Sequence, residues 1–534
     1  MKTIIKNLIL SATLAVGTAS CIGLDTAPYD RETDLTYWTE DPEAAIKALN
    51  TCYTTLSSME EQLFSDAATD NAYTKAPNDY TQSIGNGSYS TANSYVLRVW
   101  NSRYAGIRAC NELLDNIDRV PALSTELKNR YIGEAKVIRA YHYYQLYTRF
   151  GDVPYIDHVI SIAESQSIAR TPKATIEEKI LADLDEVITG NYLPASYGAD
   201  DKGRVTRWAA QAVKAKIYLF DGNWAQTQSV TNTIMNEGGF SLFPSYQGLF
   251  EIANEGNQEV ILDVQYRPVS REHNLMYFFV PPSLGGYSQL SPLQSLVDSY
   301  IMLDGTTITQ AGTTYDPNHP YDNRDPRLKA TVMYTGNSYT LPDGSEAVID
   351  CDRDGGRDGY GSTSDCTATG YYIKKYWDNT YRLTLQSGLN PILIRYADIL
   401  LMNAEAHAEQ GTLDEAVWNA TIKPIRQRAG FTLASALDFP AGASREQLVQ
   451  TVRNERRSEL ALEGGRREDI IRWKIAEQVM NGWCHGFYTG DVVSADNGFV
   501  RVEERAFRAD RHYLWPIPQT ERDLNKNLTQ NPNW

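Results

Sequence analysis

Apolar and small residues recur at helical spacing near both ends of this chain, and that periodicity constrains the fold most strongly. One stripe consists of Tyr131, Ala135, Ile138 and His142. Others consist of Trp208, Ala212, Ala215 and Leu219, and of Ile394, Ala397, Leu401, Ala404 and Ala408. Steps of three and four residues place side chains on one face of a helix. Because alanine on that face lets helices approach closely, the pattern predicts a mainly α fold.

Glycine and proline indicate where these helices end. Gly151 should end the helix that covers 130–150, and Gly411 should follow the helix carrying the third stripe. A further helix is predicted from Arg445 to the Gly464–Gly465 pair, and another over 466–480.

The middle of the chain has a different composition. Residues 241–390 are rich in Gly, Pro, Asp, Asn, Thr and Tyr, with short β-prone runs such as 259–266. We predict a loop-rich, minor-β insertion between a helical part at 22–240 and another at 391–534. No Pro/Gly/Ser-rich linker separates them, so 21–534 is expected to form a single domain.

The N-terminus has the features of a lipoprotein signal. A basic start is followed by an apolar run at 8–16 that is too short to span a bilayer, and small residues at 18–20 lead to Cys21. We predict a signal peptide at 1–20 and lipidation of Cys21, including palmitate, which would anchor the protein to the outer membrane. The alternative is an ordinary secretory signal with an incidental cysteine.

Charge and cysteine content exclude several classes of function. The net charge is −17 and no basic stripe is present, which argues against nucleic-acid binding. No CxxC motif supports a zinc cluster or thioredoxin chemistry. With Cys21 lipidated, five cysteines remain, so at least one is unpaired. Cys351 with Cys366 is the favoured local pair, and other pairings stay open.

Five segments of the chain carry a family resemblance: 134–155, 395–411, 425–431, 454–474 and 514–534. Their order and residue patterns resemble those of the SusD/RagB family of Bacteroidetes surface lipoproteins. These proteins hold nutrients, usually glycans, over a TonB-dependent transporter. The resemblance implies a tetratricopeptide-like scaffold of helical pairs and a binding protein with no enzyme activity. It also implies a SusC-like transporter as partner and a location on the extracellular side of the outer membrane.

Aromatic residues are the main candidates for ligand contacts. The chain has 34 Tyr and 10 Trp but only 13 Phe, which favours rings that combine an apolar face with a polar tip. The resemblance places ligand contacts on loops from two regions of the chain. The predicted ligand-binding residues are Asp70, Asn71, Tyr73, Tyr80, Tyr89, Tyr95, Arg98, Tyr266, Arg267, Tyr277, Phe279 and Tyr287. For each tyrosine the alternative is that it fills the helical core.

A row of carboxylates at Glu455, Glu459 and Glu463 occupies one helix face. Glycosidases need two carboxylates that flank the scissile bond. Arginines interleave with this row, which favours ion pairing over the raised pKa that a catalytic acid requires. We therefore interpret the row as structural, and no catalytic residue is predicted.

Asp350, Asp352 and Asp354 match the first half of a calcium loop, but Gly361 stands where the closing glutamate should be. A solvated acidic turn is therefore favoured over bound calcium, and no other metal or cofactor is predicted. The seven histidines form no ligand spacing, and the common hydrolase, phosphate-loop and dinucleotide motifs are missing.

The sequence therefore predicts a surface glycan-binding protein that delivers an oligosaccharide to a SusC-like transporter. One alternative is an oligopeptide-capturing member of the same family, because the scaffold does not dictate the ligand. Others are a surface glycoside hydrolase and a structural lid without ligand affinity of its own.

Overall fold

The computed structural model describes residues 34–75, 81–490 and 496–534. The predicted signal peptide, the lipidation site Cys21 and the predicted ligand residue Tyr80 lie outside these residues. Within them, no helix is long and apolar enough to cross a membrane.

Helices dominate both end regions of the chain. The N-terminal helices are α1 (Asp34–Glu40), α2 (Ala44–Thr54), α3 (Met59–Ala67), α4 (Gln82–Asn86), α5 (Ser94–Asn116), α6 (Thr125–Phe150), α7 (Ile162–Ser165), α8 (Lys173–Thr189), α9 (Arg207–Phe220) and α10 (Trp224–Glu237). The middle contains α11 (Met276–Phe279), α12 (Gln294–Ser299) and α13 (Pro326–Thr331). The C-terminal helices are α14 (Tyr396–Gln410), α15 (Glu415–Ala420), α16 (Ile422–Ala429), α17 (Ala434–Leu437), α18 (Arg445–Glu459), α19 (Arg466–Arg472), α20 (Ala476–Val479) and α21 (Gln519–Leu524).

The long helices pack one after another. Helix α5 lies along α6, α6 along α8, α8 along α9 and α9 along α10, and α10 then contacts α14, which packs on α18. Gly151 and Gly411 end α6 and α14 with φ of 70° and 71°, as predicted, because both positions need a left-handed backbone. The predicted mainly α, tetratricopeptide-like fold is confirmed.

The strands are short and form separate two-stranded ladders. They are β1 (Ala72–Thr74), β2 (Val260–Asp263), β3 (Leu290–Pro292), β4 (Val332–Met333), β5 (Ser338–Thr340), β6 (Glu346–Val348), β7 (Tyr372–Ile373), β8 (Ile392–Arg395), β9 (Asn481–Tyr488) and β10 (Phe499–Ala506). The antiparallel pairs are β1–β3, β2–β8, β4–β7, β5–β6 and β9–β10. The loop-rich, minor-β middle is therefore confirmed.

The C-terminal part departs from the prediction in three places. Ile394 lies in β8, and helix α14 begins only at Tyr396. The helix predicted over 466–480 is divided into α19 and α20, because Lys474 adopts a left-handed backbone with φ of 58°. The hairpin of β9 and β10 was not predicted.

Two large hydrophobic clusters fill the interior. The first combines the N-terminal helices with Trp515 and Ile517 from near the C-terminus, and the second surrounds Tyr300 and Tyr339 in the middle. Many tyrosines are buried in these clusters, so the core alternative is correct for them.

The favoured disulfide between Cys351 and Cys366 is not formed in the structure. Both residues are free thiols. Cys351 packs in the second cluster, whereas the thiol of Cys366 donates a hydrogen bond to the carbonyl oxygen of Thr363 at 2.9 Å.

A buried network of ion pairs holds the carboxylate row. The guanidinium of Arg395 lies 2.7 Å from Glu259, 2.6 Å from Glu459 and 2.7 Å from Glu463. Arg327 lies 2.9 Å from Glu459 on its other side. The interpretation of the row as ion-paired is confirmed by this geometry.

These arginines set the protonation state of Glu459. Burial alone would raise the pKa of Glu459, yet Arg428, Arg395 and Arg327 outweigh that effect and hold the pKa well below its usual range. The carboxylate therefore stays ionised and cannot act as a general acid near neutral pH.

We expect the substitution Glu459→Gln to lower the free energy of unfolding by about 3–5 kcal/mol, because it leaves buried guanidinium groups without their counter-charge. Urea unfolding followed by tryptophan fluorescence measures this. Because the folded pKa of Glu459 is depressed, the difference from wild type should be complete above about pH 4.3 and shrink as the pH falls.

The matched control is Glu446→Gln, at an exposed position on the first turn of the same helix. Its unfolding midpoint should fall far less, because it removes an exposed hydrogen bond from Ser444 and a favourable charge at the helix N-terminus. A midpoint for Glu459→Gln no lower than that of the control would show that the network does not stabilise the fold.

Candidate ligand-binding face

Asp70 and Asn71, predicted as polar ligand contacts, are buried and held by arginines. Both carboxylate oxygens of Asp70 accept hydrogen bonds from Arg466, each at 2.8 Å, and Oδ1 of Asn71 accepts one from Nε of Arg457 at 2.8 Å. Burial alone would raise the pKa of Asp70, but Arg457 and Arg466 hold it well below its usual range. We correct the interpretation: these side chains hold strand β1 in place.

Tyr89, Tyr95 and Phe279 are also buried, each at most 4% exposed. The ring centroid of Tyr89 lies 4.7 Å from that of Trp534, and Tyr95 meets Trp515 edge-on at 6.2 Å. Phe279 belongs to the second hydrophobic cluster. Because protein neighbours already cover these rings, we assign the three residues to the core.

Tyr73 and Arg98 remain accessible. Tyr73 is half-buried in β1, and its hydroxyl accepts a hydrogen bond from Nε2 of Gln82 at 3.2 Å. The side chain of Arg98 is half-exposed and lies 3.8 Å from the carboxylate of Glu60. A role in ligand binding stays a prediction for both.

Tyr277, Phe278 and Tyr287 form a half-buried surface that we name the aromatic patch. The rings of Tyr277 and Tyr287 are nearly parallel, with centroids 6.0 Å apart and an interplanar angle of 24°. Phe278 meets Tyr287 edge-on at 5.5 Å. Because the backbone N–H of Tyr287 donates to the carbonyl of Tyr277 at 2.9 Å, the two tyrosines are fixed relative to each other.

The segment before the patch runs beside residues 384–390. His273 and Ser387 exchange both backbone hydrogen bonds, at 2.9 and 2.8 Å. The hydroxyl of Tyr277 donates to the carbonyl oxygen of Thr384 at 3.1 Å. The aromatic patch is therefore joined by a paired segment to the region around Tyr266.

Tyr266 and Arg267 line an open cavity of about 700 Å³, which we name the Tyr266 cavity. Its lining includes Lys202, Glu255, Tyr266, Arg267, Arg271 and Asn390. The guanidinium of Arg271 lies 4.7 Å from the ring centroid of Tyr266. Burial raises the pKa of the Tyr266 phenol, and the neighbouring Arg271 opposes that rise. The cavity thus combines an aromatic face with cationic and amide donors.

A tight hairpin at the cavity rim is strained. Arg267 and Arg271 exchange two backbone hydrogen bonds of 2.9 Å, and Val269 at the tip has φ of 69°. The backbone N–H of Ser270 donates to the carbonyl of Pro268 at 2.8 Å, so Val269 is the centre of a γ-turn with positive φ. A β-branched residue rarely adopts this conformation, which costs about 1–3 kcal/mol. Val269 is nevertheless 93% exposed. Such strain at an exposed apolar tip is typical of a functional loop.

The acidic turn that matches the first half of a calcium loop is closed by its own hydrogen bonds. Oδ1 of Asp350 accepts the backbone N–H of Asp352 at 3.0 Å, and Asp352 accepts the hydroxyl of Thr335 at 3.1 Å. In the described part of the chain, no three His, Cys, Asp or Glu side chains form a metal site. Bound calcium at Asp350, Asp352 and Asp354 stays the less favoured alternative.

Three residues at the Tyr266 cavity and its rim were not predicted from the sequence as ligand contacts: Lys202, Val269 and Arg271. Pro268 and Ser270 are turn formers, so a hairpin that brings Arg267 and Arg271 together was open to inference. No local pattern links Lys202 to this region, because it approaches from the loop between α8 and α9.

Two family models match the chain. The first, described as the SusD family, covers residues 250–534, more than half of the sequence. The chain belongs to the SusD family. The second model, described as starch-binding associating with outer membrane, covers residues 30–219. SusD-like proteins are described as carbohydrate-binding proteins associated with the outer membrane, and not as enzymes.

Individual relatives agree with this assignment. SusD-like protein P25 of Formosa agariphila is 25% identical over 466 residues, covering 82% of this chain and 78% of the relative. SusD-like protein P2 of the same organism is 27% identical, covering 84% and 82%. The crystal structure of a SusD-like carbohydrate binding protein from Bacteroides fragilis has a TM-score of 0.83 and 28% identity, and the match covers 92% of this chain and all of that one.

We expect the substitution Val269→Asn to stabilise the protein, because asparagine, which is not β-branched, adopts a positive φ with less strain than valine. The melting temperature should rise by about 1–2 °C, as a gain near 1 kcal/mol gives only a small shift in a large protein. The matched control is Val348→Asn, at an exposed position in strand β6. A melting temperature that falls in Val269→Asn would contradict strain at the tip.

Proposed function

We propose that this protein captures an oligosaccharide at the cell surface and delivers it to a SusC-like TonB-dependent outer-membrane transporter. The observation that carries the proposal is the aromatic patch beside the Tyr266 cavity on a SusD-family scaffold. The relative from Bacteroides fragilis, whose structure is named a carbohydrate binding protein, supports the ligand class.

Binding would combine stacking with hydrogen bonds. Sugars expose C–H groups on the faces of their rings, and the parallel rings of Tyr277 and Tyr287 offer a matching apolar surface. Exposed polar side chains in the Tyr266 cavity, such as Lys202 and Arg267, supply donors for hydroxyl groups. The carboxylate row takes no part in this arrangement, because it is engaged in ion pairs inside the scaffold.

The location and partner follow from the same proposal. Lipidation at Cys21 would hold the protein on the outer membrane, facing the extracellular side, and the transporter would supply the energy for uptake. An oligopeptide ligand is the main alternative, since peptides also stack on aromatic rings and pair with cations. Calorimetry against glycans and a peptide digest separates the two ligands.

The mature chain without Cys21 should bind an oligosaccharide in calorimetric titrations against a panel of glycans, and a peptide digest should give no heat. Tyr277→Ala and Tyr287→Ala should each weaken binding about tenfold, because each removes one stacking ring worth roughly 1.4 kcal/mol. The control is Tyr192→Ala, a partly exposed tyrosine that follows helix α8 in the scaffold. Circular dichroism checks that the variants fold.

Binding of the peptide digest alone would favour the oligopeptide alternative. Unchanged glycan affinity in both Tyr277→Ala and Tyr287→Ala would place the ligand elsewhere on the molecule. Release of shortened products from a polysaccharide by the purified protein would instead establish a hydrolase.

The anchor is tested separately in cells. Cys21→Ala should abolish metabolic labelling with an alkyne analogue of palmitate and release the protein from the membrane fraction, because the acyl chains are attached through that thiol. Cys484→Ala, which replaces a cysteine of the C-terminal hairpin, is the matched control and should stay labelled. Labelling that survives in Cys21→Ala would show that the anchor is elsewhere.

A further inference from the structure

Four cationic side chains line the Tyr266 cavity. Arg204 is ion-paired within the scaffold. Among the described residues, none of the other three, Lys202, Arg267 and Arg271, lies within ion-pair distance of a carboxylate. Arg271 donates instead to the backbone oxygen of Gln265 at 3.0 Å. The chain has 67 acidic and 50 basic residues. Three cations without a carboxylate partner in one cavity are therefore unexpected.

The acidic residues of the cavity offset these cations only in part. Burial raises the pKa of Asp263, and the nearby charge of Lys202 opposes that rise without forming an ion pair. The two oxygens of Asp263 accept hydrogen bonds from Gln265 at 2.7 Å and from Asn390 at 3.0 Å. Glu255 accepts the backbone N–H of Asn390 at 2.7 Å, and burial raises the pKa of Glu255 to about 7. Near neutral pH, Glu255 therefore carries only part of a charge.

Two glycines let the cavity wall close around Lys202. A Cβ at Gly203 would lie 2.5 Å from the side chain of Gln265, and one at Gly256 would lie 2.5 Å from Cε of Lys202. Both glycines have left-handed backbones, with φ of 92° and 60°. The methylene stem of Lys202 therefore packs over Gly256. Part of the conformational entropy that Lys202 would lose on binding a ligand is already lost in the free protein.

We propose that the Tyr266 cavity binds a sugar residue that carries a carboxylate or a sulfate group. The proposal names the ligand class of the proposed glycan site and rests on that function. Arginine guanidinium groups form bidentate hydrogen bonds with carboxylate and sulfate oxygens, and the ring of Tyr266 offers the adjoining sugar an apolar face. A volume of about 700 Å³ is typical of a ligand site.

The test is calorimetry on the mature chain without Cys21, with three probes of equal length. They are tetragalacturonate, a sulfated carrageenan tetrasaccharide and neutral cellotetraose. At least one acidic probe should bind more tightly than the neutral one, and its affinity should fall as sodium chloride is raised, because salt screens exposed charges. Which acidic probe binds distinguishes a uronate from a sulfate ester.

Variants of the cationic side chains locate the site. The double variant Arg267→Gln/Arg271→Gln should weaken binding of the acidic probe at least about tenfold, since hydrogen bonds to charged groups are the strong ones. Arg267→Lys keeps the charge but loses the bidentate geometry. Its affinity for the acidic probe should lie between those of wild type and the double variant. Arg508→Gln, a half-exposed arginine on the C-terminal segment, is the control and should bind as wild type does.

The outcomes separate this inference from the proposed function. Equal or tighter binding of the neutral probe, or unchanged affinity for the acidic probe in the double variant, would overturn the inference and leave glycan capture intact. Binding of a peptide digest with no affinity for any saccharide would overturn both.

Discussion

Arg395 is the charge on which the arrangement of the chain depends, because its guanidinium joins carboxylates from distant parts of the sequence. Glu259 precedes strand β2, Glu459 ends helix α18, and Glu463 lies in the turn that follows. A buried charge must keep all its partners, since breaking such a pair costs several kcal/mol. The network therefore fixes how the middle of the chain sits on the C-terminal helices.

The same helices also position the binding face. Arg457 on α18 and Arg466 on α19 hold Asn71 and Asp70, and strand β1 begins at the next residue. Strand β1 pairs with β3, which starts three residues after Tyr287. The ion pairs of the scaffold are thus connected to the aromatic patch through the β1–β3 ladder. The scaffold and the binding face are coupled in position, although they rely on different interactions.

Helical periodicity was sufficient to predict a mainly α chain, because buried helix faces repeat in fixed steps and residues such as Gly151 stop them. The tetratricopeptide-like arrangement of the helices was expected only from the family resemblance. The binding face could be predicted only as a region. A ring in a loop has no period, so Tyr89 in the core and Tyr277 on the surface look alike in sequence. Asp70 looked like a ligand contact because its partner Arg466 is 396 residues away. Long-range pairing of this kind leaves no local pattern.

The hairpin that carries Val269 is closed by two backbone hydrogen bonds of its own, and none of the Arg395 network passes through it. These two bonds do not depend on which side chains the loop displays. The only side chain that holds the tip among the described residues is Glu272, whose Oε1 accepts the N–H of Val269 at 2.8 Å. The rim is therefore a natural graft position. A loop of equal length and matching turn geometry could be exchanged there to redirect what the protein recognises, while the helices continue to fold around the same buried charges.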